Sequence, residues 1–154
     1  MVNISELQEV LCSIIEEESK YIPLESITGG FNELKGNTTG DNSGVLPDDI
    51  LKRNCYKSFS YESMIMTFAG LVPGTYKFGL LINTIKTYNF TQATYEVSSG
   101  DNKQQFAMKS SYVDNFNDIA YVTLDVTGDV VLSISTTDAK NSSLIINALT
   151  IEKL

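Results

Sequence analysis

Apolar residues alternate with polar residues in several short segments between Tyr61 and the end of the chain. In the first of these segments Met64, Met66 and Phe68 share one phase, and glycine and proline follow at positions 70–74. A two-residue period places alternate side chains on one face of an extended strand, so each segment is predicted to be a half-buried β-strand. Further strands are predicted at 76–82, 94–97, 120–126, 130–134 and 144–151. Short strands separated by turn residues are typical of a β-sandwich.

Two of the predicted strands are joined by the turn Thr127-Gly128-Asp129. A Gly-Asp step between two alternating segments favours a β-hairpin, in which the strands at 120–126 and 130–134 would pair directly. The last segment, 144–151, is apolar in both phases, which predicts a central strand that is covered on both faces.

The N-terminal residues follow a helical period. Apolar residues recur on one helical face from Ile4 to Ile15, and Ser5 with Gln8 has the form of a capping box. We therefore predict one short α-helix within residues 1–20, followed by a single β-sandwich domain over residues 21–154. The helix would either pack on the sandwich or form an arm that docks on a partner subunit.

Composition narrows the chemistry that the chain can perform. It contains no histidine, which excludes Ser–His and Cys–His nucleophilic pairs and histidine-ligated metals. Its net charge of −8 disfavours nucleic acid and anionic membrane surfaces as partners, and no apolar run is long enough for membrane insertion. Carboxylates at 62, 96, 125 and 152 fall on predicted strands, where they are interpreted as solvent-facing residues, so we expect no enzymatic activity.

A glycine-rich polar stretch covers residues 29–48 and is predicted to be a long mobile loop. Asp41, Asn42, Asp48 and Asp49 supply oxygen atoms of the kind that calcium prefers, yet the ordered ligand spacing of a known calcium loop is missing. No metal site and no cofactor are therefore assigned, and calcium remains an alternative without a motif.

Three segments, taken in order, resemble galactose-binding-like domains. They are Phe68-Ala69-Gly70-Leu71-Val72-Pro73-Gly74-Thr75-Tyr76-Lys77-Phe78, then Ala93-Thr94-Tyr95-Glu96-Val97-Ser98-Ser99-Gly100, and finally the Gly128-Asp129 turn with the ending Asn147-Ala148-Leu149-Thr150-Ile151. The resemblance covers about residues 59–153 and implies an all-β, jelly-roll β-sandwich of the carbohydrate-binding-module type, preceded here by the short N-terminal α-helix. Members of that family often bind sugar through loops at one end or along one sheet face.

Aromatic rings beside polar side chains mark two candidate ligand-binding segments. Tyr88 and Phe90 lie in one, and Tyr112, Asn115 and Phe116 lie in the other. Such rings can stack on sugars while neighbouring amides bond hydroxyl groups; they can equally anchor a protein interface or fold back into the core.

The start of the chain shows no basic region leading into an apolar core, so no signal peptide is predicted. We therefore expect a non-catalytic structural or attachment module, an accessory or decoration component of a larger assembly such as a bacteriophage virion, with protein partners or further copies of itself. The expected location is a virion or extracellular surface after assembly, and otherwise the cytoplasm. The alternative function is a carbohydrate-binding module that recognises a cell-surface or plant-type glycan.

Overall fold

The alternating segments form strands of two facing sheets in the computed structural model, which describes residues 12–13, 24–28, 32–57, 63–85, 90, 92–137 and 144–154. The strands are β1 (Cys12–Ser13), β2 (Leu24–Thr28), β3 (Asn32–Lys35), β4 (Arg53–Lys57), β5 (Ser63–Phe68), β6 (Gly74–Leu81), β7 (Ala93–Ser99), β8 (Asn102–Gln105), β9 (Ala120–Val126), β10 (Val130–Thr136), β11 (Leu144–Ile146) and β12 (Ala148–Lys153). One short helix, α1 (Asp48–Leu51), precedes β4.

The sandwich consists of a four-stranded sheet in the order β1-β12-β6-β9 and a five-stranded sheet in the order β2-β5-β10-β7-β8. A smaller sheet, β11-β4-β3, lies beside them. Strand pairs are antiparallel except β1 with β12, which is parallel. The prediction of an all-β jelly-roll sandwich is confirmed.

The core lies between the two large sheets. Strand β5 alternates between half-buried and buried residues, and β10 does the same, as their two-residue period predicts. The largest fully buried side chains include Phe68, Phe78, Tyr95, Met66 and Leu132. Burial of each such side chain contributes about 1.5–3 kcal/mol, which makes this interface the main source of stability.

Tyr95 joins the core to the smaller sheet. Its hydroxyl donates to the carbonyl oxygen of Ile145 at 2.8 Å and accepts the backbone N–H of Ile145 at 3.2 Å. Burial raises the pKa of this hydroxyl, which therefore stays protonated and able to donate. A buried polar group that is paired in this way fixes the position of β11 without leaving an unsatisfied atom.

The connection between β9 and β10 is not the hairpin that the sequence predicts. Strand β9 pairs with β6, whereas β10 lies in the other sheet between β5 and β7. The turn therefore crosses from one sheet to the other. Ser99, at the end of β7, receives the N–H groups of Thr127 and Gly128 on its hydroxyl at 3.0 and 3.1 Å, so the turn is satisfied by a side chain rather than by strand pairing.

The predicted N-terminal helix is wrong at the two residues of that segment that the structure describes. Cys12 and Ser13 form β1, which pairs with Leu149 and Thr150 of β12. The remainder of residues 1–20 lies outside the described residues. An apolar period is a weak determinant of local structure, and an open strand edge offers unpaired backbone groups that an extended segment can satisfy.

The polar stretch at 29–48 contains more structure than the sequence predicts. Strand β3 pairs with β4, and the segment that follows is organised around the carboxylate of Asp48. This carboxylate accepts the backbone N–H and hydroxyl of Thr39 at 2.9 and 2.8 Å and the N–H of Gly40 at 2.9 Å. In return, the N–H of Asp48 donates to Asn42 Oδ1 at 2.9 Å. Two of the four residues considered as calcium ligands, Asn42 and Asp48, thus hold the loop with their side-chain oxygens. The described residues contain no group of three or more His, Cys, Asp or Glu side chains that could hold a metal ion.

Protonation of Asp48 in acid should break the hydrogen bonds that hold this loop. Desolvation opposes ionisation of Asp48, but the hydrogen bonds from Thr39, Asn42 and Gly40 outweigh it and lower the pKa of the carboxyl below its ordinary 3.8. A lowered carboxyl pKa means that the hydrogen bonds persist above pH 3.8 and are lost as the pH falls through the lowered value. We expect the amide resonances of Thr39 and Gly40 to shift together below pH 3.8 in an NMR titration. In D48N the shifts should be much smaller, because Asp41, which also bonds the Thr39 side chain, is then the carboxylate that still titrates there. A midpoint above 3.8 would contradict this assignment.

Candidate ligand-binding face

Two of the aromatic residues singled out in the sequence are buried. Phe90 is fully buried, Tyr112 is 5% exposed, and their rings pack edge to face with centroids 5.0 Å apart. The Tyr112 hydroxyl accepts the N–H of Lys109 at 2.8 Å. In this arrangement neither ring offers a face on which a sugar could stack. Tyr88 lies outside the described residues.

Asn115 and Phe116 hold a loop in place. The amide of Asn115 donates to the carbonyl oxygens of Ile82 at 2.9 Å and Asp118 at 2.8 Å, while its oxygen accepts the N–H of Asp118 at 3.0 Å. Phe116 is half-buried against a small apolar cluster, and its carbonyl accepts the N–H of Val45 at 2.9 Å. Both residues therefore position neighbouring backbone, and Val45 is fixed by this contact.

The outer face of the four-stranded sheet brings together a different set of side chains. In β9 the apolar residues point into the core, which leaves Tyr121, Thr123 and Asp125 on the outside. The strand register places them opposite Gly79, Lys77 and Thr75 of β6. Thr150 and Glu152 of β12 continue the first two rows. We call this surface the Tyr121 face; it consists of Thr75, Lys77, Gly79, Tyr121, Thr123, Asp125, Thr150 and Glu152.

The ring of Tyr121 occupies the space above Gly79. A Cβ at Gly79 would lie 2.7 Å from Tyr121 Cε1 and 2.4 Å from Thr150 Oγ1, so only glycine lets the ring lie so close to the sheet. The tyrosine is 52% exposed. The missing side chain in β6 therefore creates a supported aromatic platform that is open to solvent.

Charged groups flank the platform. The ammonium nitrogen of Lys77 lies 4.4 Å from the centroid of the Tyr121 ring, within the range of a cation–π contact. It also lies 3.6 Å from Glu152 Oε2. The donor Lys77 thus lies over the aromatic ring and pairs with the acceptor Glu152, and both charged groups remain partly exposed.

A polar groove of about 490 Å³ adjoins the Tyr121 face where β8 approaches β9. The two sheets are linked there by the amide of Asn102, which donates to the carbonyl oxygen of Asp125 at 2.8 Å. The side chain of Asp125 accepts the hydroxyl of Thr75 at 2.6 Å. The lining is almost entirely polar, with hydroxyl, amide, carboxylate and ammonium groups: Thr75, Asp101, Asn102, Lys103, Gln104, Thr123, Leu124 and Asp125. Such a groove can bond a ligand that is rich in hydroxyl groups.

Sequence reasoning missed Tyr121 as a site residue, although a signal was present. The residue falls in the polar phase of an alternating strand, where a large aromatic ring is unusual because that phase faces solvent. The sequence instead predicts that aromatic residues in loops bind the ligand. An exposed ring on the polar face of a strand is the more direct indication of a binding platform.

No protein-family model matches the chain, and no curated protein matches it. Several solved structures are similar in backbone. A CBM35 from Cellvibrio japonicus Abf62 is 14% identical with a TM-score of 0.47, over 83% of this chain and 88% of that one. CBM32-3 from a family 31 glycoside hydrolase of Clostridium perfringens is 7% identical with a TM-score of 0.45, over 83% and 91%. CpGH89CBM32-5 from Clostridium perfringens, in complex with GalNAc-β-1,3-galactose, is 14% identical with a TM-score of 0.37, over 82% and 94%.

The two facing sheets define the class of this protein as the jelly-roll β-sandwich. The three solved structures just named are CBM35 and CBM32 modules by their own names. Similarity at this level leaves the ligand to be argued from the residues of the Tyr121 face. In the described part of the chain, no helix has the length and hydropathy that crossing a membrane requires.

Proposed function

We propose that this domain is a carbohydrate-binding module that holds a neutral glycan on the Tyr121 face and performs no chemistry on it. The observation that carries the proposal is the ring of Tyr121, half-exposed and supported over Gly79. One face of a sugar ring presents C–H groups with partial positive charge, and the face of an aromatic ring is negative. The two surfaces attract each other while water is displaced from both.

The polar groups around the platform suit the hydroxyl groups of the same ligand. Glu152 accepts hydrogen bonds beside the ring, and the Lys77 ammonium, which a stacking sugar would displace from over the ring, can donate one to that sugar. Thr123 and Asp125 extend the same outer row of β9 into the polar groove. Hydrogen bonds to charged groups are stronger than neutral ones, so these contacts would orient the sugar once the ring has stacked.

Charge around the site favours an uncharged glycan. The face and groove carry the carboxylates of Asp101, Asp125 and Glu152 against the ammonium groups of Lys77 and Lys103. The whole chain has a net charge of −8, which repels polyanions at a distance. A glycan rich in uronate or sulfate would meet both effects.

Removal of the Tyr121 ring tests the proposal. A glycan array would first identify a bound oligosaccharide, and calorimetry would then give its affinity. Y121A is expected to weaken binding by about 2 kcal/mol, or roughly 30-fold, as for a buried aromatic contact at the centre of an interface. Because the ring is half-exposed, the melting temperature should change little.

Two matched variants sharpen this test. Y121F removes only the hydroxyl and should retain most of the affinity, whereas V72A alters an exposed residue outside the face and the groove and should bind like the original chain. Equal affinity in Y121A and V72A would refute a stacking role for Tyr121.

The role of an accessory component in a bacteriophage virion stays a prediction. None of the similar structures named above is a virion component. The same holds for the predicted protein partners and for self-association. A glycan-binding domain can serve as an attachment module of a larger particle, so the two functions are compatible.

A further inference from the structure

A small pocket of about 80 Å³ opens beside the Tyr121 ring. Its apolar wall is formed by Val45, Leu46 and Ile119, and its rim includes Thr150 and Glu152. Sites for whole small molecules begin at roughly 300 Å³, so this pocket is too small for a sugar ring. It is several times larger than the roughly 15 Å³ that a single water molecule requires. Its size therefore suits one substituent of a sugar.

The apolar wall is built into the fold. Leu46 is 5% exposed and packs with Leu51, Leu81 and Ala148. The neighbouring Val45 is 47% exposed, yet its N–H is bonded to the carbonyl oxygen of Phe116 at 2.9 Å. A fixed and solvent-exposed valine beside an exposed tyrosine gains free energy when an apolar group covers both.

The rim of the pocket carries polar groups, which favour an occupant that can also donate a hydrogen bond. The carboxylate of Glu152 has two oxygens and can accept several hydrogen bonds, so its contact with Lys77 leaves capacity for a further donor. Thr150 adds a hydroxyl whose oxygen can also accept, while its hydrogen is directed to the carbonyl of Gly79 at 3.4 Å. An occupant with a methyl group next to an N–H would satisfy both the wall and the rim.

Resting on the proposed function, we infer that this pocket receives the N-acetyl group of an amino sugar, and that the ligand of the Tyr121 face is a glycan containing N-acetylhexosamine. The methyl group would lie against Val45 and Ile119, and the amide N–H would donate to Glu152. A deoxy sugar also carries a methyl group, but no N–H stands next to that methyl, so beyond the contact with Lys77 it offers Glu152 no donor beside the apolar wall.

Pairs of oligosaccharides that differ only in the acetamido group test this inference. The probes are N,N′,N″-triacetylchitotriose with cellotriose, and β1,4-linked N-acetylgalactosamine trisaccharide with its galactose counterpart. We expect the acetylated member of at least one pair to bind at least tenfold more tightly. V45N places an amide in the apolar wall and should remove that preference, whereas V72N, at a valine of similar exposure outside the pocket, should retain it.

The outcomes separate the pocket from the platform. Equal affinity within both pairs, or a tight ligand without an N-acetyl group whose binding is lost in Y121A, would overturn the inference and leave the proposed function standing. A preference that survives in V45N would also overturn the role of this pocket. If neither these probes nor a broad glycan array shows binding, the proposed function fails together with the inference.

Discussion

N147A is expected to lower the free energy of unfolding by about 3 kcal/mol, because two buried backbone groups would each lose a partner at a cost of roughly 1–3 kcal/mol. Asn147 is fully buried between β11 and β12. Its side-chain oxygen accepts the N–H of Asn83 at 2.6 Å, and its amide donates to the carbonyl oxygen of Leu51 at 3.1 Å. One side chain thus links the start of β12 to the loop after β6 and to α1. Urea unfolding followed by circular dichroism measures the loss.

The control for this variant is N102A. That asparagine is exposed and makes one hydrogen bond to a backbone carbonyl, as Asn147 does. Because water can replace the lost partner, N102A should destabilise the domain by less than about 1 kcal/mol. Similar losses in the two variants would mean that the Asn147 contacts do not carry the stability assigned to them.

G36A should destabilise the domain by a similar amount, about 3 kcal/mol, at the upper end of the range for overpacked sites. A Cβ on Gly36 would lie 1.9 Å from the carbonyl oxygen of Leu51 and 2.9 Å from Asn147 Nδ2. The N–H of Gly36 also donates to the carbonyl oxygen of Lys52 at 2.8 Å. Since the nearest atom belongs to the backbone, relief requires movement of the chain between Gly36 and Lys52. Thermal unfolding reports the change.

The G36A substitution should also weaken glycan binding, because Val45 lies in the segment that would have to move, between Gly36 and Lys52. Glycan affinity is expected to fall in G36A even at temperatures at which the protein remains folded. G128A provides the comparison: no atom lies within 4 Å of a Cβ at that position, so stability and affinity should both stay near the original values. If the G36A protein is folded and its glycan affinity is unchanged, the wall that contains Val45 does not contribute to ligand binding.

The sequence predicts where the strands of the core lie along the chain, but it does not predict which strands pair with each other. The alternating apolar residues of β5, β6, β7, β9 and β10 predict buried faces that the structure confirms. The hairpin between β9 and β10 was wrong because turn composition reports a change of direction, whereas sheet membership depends on Ser99 and on strands far away in sequence. The strand predicted at 144–151 is interrupted at Asn147 for a similar reason, since that side chain is committed to Asn83 and Leu51.

For the candidate site, too, the sequence predicts the properties of single segments but not which residues come together in the fold. The loops with Phe90 and Tyr112 look like binding segments by composition, but their rings are taken up by the core. The exposure of Tyr121 depends on Gly79, a residue of another strand that it meets only through the register of β6 with β9. The alternation of residues and the composition of a segment describe one strand at a time. They therefore do not predict which residues of two paired strands become neighbours, as Tyr121 and Gly79 do.

The pairing of β1 with β12 has a consequence for how the chain acquires its structure. Cys12 lies opposite Leu149, so the four-stranded sheet joins segments from opposite ends of the described chain. Contacts of such long sequence separation form only after a large loss of chain entropy, which slows folding. On a ribosome the residues of β1 would wait for β12 to emerge, and until then its backbone groups would stay unpaired. Among the described strands, β12 comes after all the others along the chain, and it both closes the sheet and supplies Thr150 and Glu152 to the Tyr121 face.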